Sequence, residues 1–101
     1  MRLFLDASVV LAACGRAAGA SHAIFDLAEA QDWQLLTGEY VMREVERNVR
    51  ERLSATAVAD VLLTLDRADF GGVMVVGFYG LPVMKPGDFL RRERTARRLA
   101  F

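Results

Sequence analysis

Two aspartates in this chain each close a short apolar run. Asp6 follows Leu3-Phe4-Leu5, and Asp66 follows Val61-Leu62-Leu63-Thr64-Leu65. Runs of this kind read as strands buried on both faces of a parallel sheet. Open α/β sheets gather their chemistry just outside the carboxyl ends of such strands, so both carboxylates fall at that edge. A third acid, Glu44, belongs to a helix expected over 39–53, where Val41, Val45, Val49 and Leu53 recur every four residues as a buried stripe. Glu44 lies roughly 60° around the helix from Val41, at the border of that stripe. The bland alternative is a solvated helix charge of the kind Glu46 and Arg50 supply as an i, i+4 pair.

No Lys or Arg is placed by this reading to neutralise Asp6, Glu44 and Asp66. Gathered carboxylates repel, and a cation compensates them. Oxygen ligands without a His or thiolate set favour Mg²⁺ or Mn²⁺. Such an ion polarises a phosphoryl oxygen and acidifies a bound water, which is the chemistry of phosphodiester hydrolysis. Ser8 is placed to hold Asp6, and Thr64 to hold Asp66, as hydroxyls that orient metal-binding carboxylates do.

The elements that must position these groups follow from the pattern. Strands are expected over 2–5, 33–36, 61–65 and 81–84. A first helix spans 9 to about 18, with Gly19 as its C-cap and Cys14 in its apolar packing face. Ser21 is the expected N-cap of a second helix, with Ile24, Leu27 and Ala28 on its buried stripe and His22 exposed in its first turn. The run 73–78 reads as strand or helical turn, and a last helix begins at about Asp88.

Composition bounds the rest. The chain has 101 residues, 53% of them hydrophobic, enough for one small domain with a real core. Lys plus Arg and Asp plus Glu balance at 13 each, so net charge selects no partner. Its distribution is uneven: residues 1–40 carry two Arg against five acids, and 91–101 carry five Arg against one Glu. Arg91, Arg92 and Arg94 are candidates to hold phosphates, with a solvated charged face as the alternative. One cysteine excludes an internal disulfide and fits a reducing compartment. With no membrane-length apolar run and no signal-peptide pattern, the expected location is cytoplasmic.

Four blocks in series resemble the PIN domain of VapC-type toxin ribonucleases: LFLDASV at 3–9, YVMREVERNV at 40–49, ADVLLTLDRADF at 59–70 and LPVMKPGDFL at 81–90. The resemblance covers nearly the whole chain in the family's order. It implies a three-layer α/β/α sandwich with a parallel sheet of about four strands. Asp6 then matches the family's first acid, Glu44 its second and Asp66 the acid of its T-x-D motif. Asp69 matches a less regular metal-binding acid, and Ser8 the polar residue supporting the first. The resemblance also implies Mg²⁺ or Mn²⁺, RNA as substrate, a homodimer and a small antitoxin partner. Members usually carry additional helices before the T-x-D strand and a further aspartate opening the last of them. Here only about residues 53–60 fill that interval, and Asp60 sits on the strand's lead-in.

Two other readings are set aside, one on a residue type and one on spacing. A haloacid-dehalogenase-type phosphatase needs a carboxylate where Ser8 stands. A signalling receiver domain needs a helix, a strand and a helix between Asp66 and Lys85, where 18 residues leave no room. The alternative to an active nuclease is a catalytically inactive shortened PIN domain that binds RNA or an antitoxin.

Overall fold

The computed structural model describes residues 1–38, 43, 44, 47, 50, 51, 58–65 and 80–99. Four strands form one all-parallel sheet: β1 (Arg2–Leu5), β2 (Gln34–Thr37), β3 (Val61–Leu63) and β4 (Val83–Met84), in the order β2-β1-β3-β4. The two most apolar runs therefore occupy the two central positions, where both faces must be covered. Three helices are described: α1 (Ala7–Gly15), α2 (Ala20–Gln31) and α3 (Pro86–Thr95). The chain has the α/β class expected.

One face of the sheet carries Leu3, Leu5, Val61 and Leu63, which pack with Val9 of α1, Ile24 of α2 and Phe89 of α3 into one core. Trp33 closes this core, its ring meeting Phe89 edge-on at a centroid distance of 5.2 Å. The alternate residues Phe4, Leu62 and Val83 point to the opposite face and are buried too. The sheet is thus covered on both sides, as a three-layer sandwich requires. Each fully buried Leu, Ile or Phe contributes about 1.5–3 kcal/mol to holding it there.

Several boundaries differ from the sequence reading. α1 stops at Gly15, with Arg16 extended, because an alanine-rich run carries no stop signal of its own. Gly19 caps the start of α2 instead of the end of α1, and Ser21 lies inside α2, buried. Cys14 is exposed. The buried positions of α1 are Val9 and Ala13, four residues apart, and the next residue turns away by about 100°. His22 bonds Asp26 Oδ2 through Nδ1 at 2.9 Å, one turn along the outer side of α2. β2 begins one residue later than expected and β3 ends at Leu63. β4 is limited to Val83–Met84. α3 starts at Pro86, whose fixed φ and missing N–H suit the first helical position.

Of the helix expected over 39–53, Arg43, Glu44, Arg47 and Arg50 are helical, and the Glu51 N–H donates to the Arg47 carbonyl at 3.0 Å. The run 73–78 lies outside the described residues. Among the described residues no single helix is long and apolar enough to cross a membrane.

Candidate active site

The strand order defines where a site belongs. From β1 the chain moves outward to β2, then returns across β1 to β3. The crevice at the carboxyl ends of β1 and β3 is thus the topological switch point, the position at which open α/β sheets bind ligands. Asp6 stands there. Register pairs Leu5 with Leu63, so the residues that follow, Asp6 and Thr64, emerge side by side. The Asp6 N–H extends the ladder by donating to the Leu63 carbonyl at 3.0 Å.

Asp6 is also the N-cap residue of α1, yet its carboxylate makes no capping bond. An aspartate here ordinarily accepts an N–H from the first turn, worth about 1 kcal/mol. Instead, Oδ2 accepts two hydroxyls: Ser8 Oγ at 2.7 Å and Thr64 Oγ1 at 2.9 Å. Thr64 is fully buried, and its N–H donates to the Met84 carbonyl at 3.1 Å. Ser8 Oγ in turn accepts the Leu65 N–H at 3.0 Å. Three neighbouring segments therefore fix one oxygen of Asp6, while no donor among the described residues addresses Oδ1. The start of α1 adds a favourable dipole for the negative charge. On the other side of β1, Thr37 Oγ1 donates to the Leu5 carbonyl at 3.0 Å, closing that edge with a third hydroxyl.

The expected site residues divide into three groups. Asp6, Ser8 and Thr64 come together: Thr64, expected to hold Asp66, donates to Asp6. Glu44 is half-buried and has the local cation that the sequence reading did not give it: Arg47 Nη2 donates to Glu44 Oε2 at 2.8 Å, an i, i+3 pair on one helical face. No described contact joins Glu44 to Asp6. Asp66 and Asp69 lie outside the described residues. Among the described residues no group of three or more His, Cys, Asp or Glu side chains could hold a metal ion.

Asp60 lies at the opposite end of the sheet. Its Oδ2 accepts the Arg2 N–H at 2.6 Å, its own N–H donates to the Arg2 carbonyl at 2.8 Å, and the Arg2 guanidinium stands 3.8 Å away. Four residues of extended chain, about 13 Å, separate Arg2 from Asp6. Asp60 therefore does not stand in for a missing acid.

The arginines of α3 are largely committed within the fold. Arg91 pairs with Asp88 at 3.0 Å, and Arg92 reaches Glu93 at 3.3 Å while its guanidinium lies over the Phe89 ring, 5.3 Å from its centroid. Arg94 is also engaged. Arg98, beyond the helix, donates through Nε to Glu93 Oε2. Glu93 is 1% exposed, which explains why two arginines converge on it. Sequence reading missed Glu93 altogether, yet its spacing carries the signal: Pro86, Phe89 and Glu93 occupy the buried face at i, i+3 and i+7.

Comparison with protein-family models, with curated proteins and with solved structures gives no match in any of the three.

Proposed function

We propose that this chain is a Mg²⁺- or Mn²⁺-dependent endoribonuclease of the PIN type, acting in the cytoplasm, with Asp6 at the centre of its site. The observation that carries the reading is the Asp6 carboxylate, which occupies an N-cap at the switch point and is withheld from capping. One oxygen is fixed by the hydroxyls of Ser8 and Thr64, and the other is left for a ligand. Natural sequences break a local rule chiefly at functional sites. The PIN resemblance of the sequence blocks supports the same conclusion, with Asp66, Glu44 and Asp69 as the further acids.

The donor set fits a hard divalent cation. Asp6 would hold it through Oδ1, with Asp66, Glu44 and Asp69 as the remaining protein oxygens. When bound, the ion supplies Lewis-acid polarisation of a phosphoryl oxygen and an acidified water. The chain's own contribution is orientation: Ser8 and Thr64 keep the Asp6 carboxylate in one rotamer.

A second reading is favoured by one specific contact. The Glu44–Arg47 pair neutralises the second acid, as it would in an inactive PIN relative that binds RNA or a small antitoxin without cleaving. Cleavage of a labelled structured RNA with Mn²⁺, Mg²⁺ or EDTA separates the two. Metal-dependent cutting supports the nuclease. A folded, monodisperse protein that leaves the RNA intact in all three conditions supports the binding module.

A further inference from the structure

Beside Asp6 lies a cavity of about 190 Å³, between the end of β3 and the adjoining ends of α1, α2 and α3. Ala12, Ala20, Leu65, Pro86 and Gly87 supply walls to it, and Arg16 is the one charged side chain among the described lining residues. Leu65 belongs to both places: its N–H donates to the Ser8 hydroxyl that donates to Asp6, while its side chain, 41% exposed, faces the cavity. A large apolar side chain is thus held open to solvent within two hydrogen bonds of the candidate catalytic carboxylate.

We infer that this cavity receives one base of a single-stranded RNA, from the nucleotide adjoining the phosphate at Asp6. The inference rests on the ribonuclease reading and names the form of its substrate. Size admits the ring: an apolar cavity of about 150 Å³ holds benzene, so this one accommodates the ring of a base. Charge decides the class. With no carboxylate among the described lining residues and the Arg16 guanidinium at the cavity, an anionic strand is admitted with its phosphate neutralised by Arg16. Strandedness follows from access, since a base must leave its stack to enter, and single strands present unstacked bases at the least cost.

The test is binding without cleavage: fluorescence anisotropy of a fluorescein-labelled ten-residue oligouridylate in EDTA. Ala20→Leu fills the cavity from an exposed position. Gly87→Ala narrows it, because a Cβ there stands 3.8 Å from the Ala20 Cβ, an ordinary contact. Ala20→Leu weakens binding about tenfold, the stacking of one base, and Gly87→Ala weakens it in the same direction. Arg16→Ala lowers the slope of log affinity against log salt by about one. A ten-residue abasic ribose-phosphate strand binds wild type and Ala20→Leu equally. Oligouridylate affinity unchanged by both filled variants, each with a cooperative melt, overturns the cavity assignment and leaves the cleavage assay untouched. A filled variant that loses binding in a protein that never cleaves RNA upholds the cavity and overturns the nuclease.

Discussion

Thr64 Oγ1 donates to Asp6 Oδ2 at 2.9 Å across 58 residues of sequence, joining the ends of the two central strands. Register alone produces the pair, because Leu5 lies opposite Leu63 and the next residues leave the sheet together. Thr64→Val keeps the shape and removes the hydroxyl. With Ser8 still bonded, stability falls by about 1–2 kcal/mol, read from the urea midpoint. RNA cleavage falls tenfold or more, as for other residues that orient a metal-binding carboxylate. Wild-type cleavage in Thr64→Val would remove Thr64 from the site.

Trp33 and Phe89 give the core its own reporter. The chain has one tryptophan, and its ring meets Phe89 at the junction of α3 with the sheet. Phe89 is fully buried, so Phe89→Ala costs about 3–5 kcal/mol. Domains of this size are stable by about 5–15 kcal/mol, which leaves the variant marginal. Its emission shifts to the red at low denaturant, where the wild type remains blue-shifted.

The end of α3 supplies two opposed effects. Arg97 takes the left-handed conformation at φ 59°, and the Arg98 N–H reaches back to the Glu93 carbonyl at 2.9 Å, as in a Schellman stop. Glycine is the residue suited to that position, so Arg97→Gly raises stability by about 1 kcal/mol. Arg98→Ala leaves the buried Glu93 carboxylate with Arg92 alone and lowers stability by about 2 kcal/mol, less than for a fully buried pair because Arg98 is half-exposed. Parallel urea titrations of the two variants check both signs.

Asp60 offers a control acid. It pairs with Arg2 at the amino end of the sheet, where both side chains are about 40–45% exposed. Asp60→Asn leaves RNA cleavage within about twofold of wild type, and the lost ion pair costs no more than about 1 kcal/mol. A large fall in cleavage would place the active site at the wrong end of the sheet.

The sheet was legible because its two central strands must be covered on both faces, and sequence writes that as unbroken apolar runs at 3–5 and 61–63. Asp6 was legible for the same reason: it is the first polar residue after such a run. The bond from Thr64 to Asp6 was not. A parallel register links residues 58 apart, and no local spacing encodes it. Helix ends were misplaced where alanine carries no punctuation, which displaced Gly19 and Ser21 from their expected roles. Cys14 was assigned to packing from the apolarity of its neighbours, although Val9 and Ala13 already fill the buried face of α1. Glu44 is helical and half-buried, but Arg47, one turn on, was not read as its partner.

The most direct test of the central claim compares wild type with Asp6→Asn in metal-dependent RNA cleavage, after urea unfolding shows both are folded. Asparagine preserves the shape and keeps one oxygen for the Ser8 and Thr64 hydroxyls, but it lacks the charge a divalent cation requires. Cleavage lost by at least a hundredfold in Asp6→Asn, with a cooperative transition retained, is the predicted result. Equal cleavage by the two folded proteins would contradict the account, because the carboxylate at the switch point would then have no part in the chemistry.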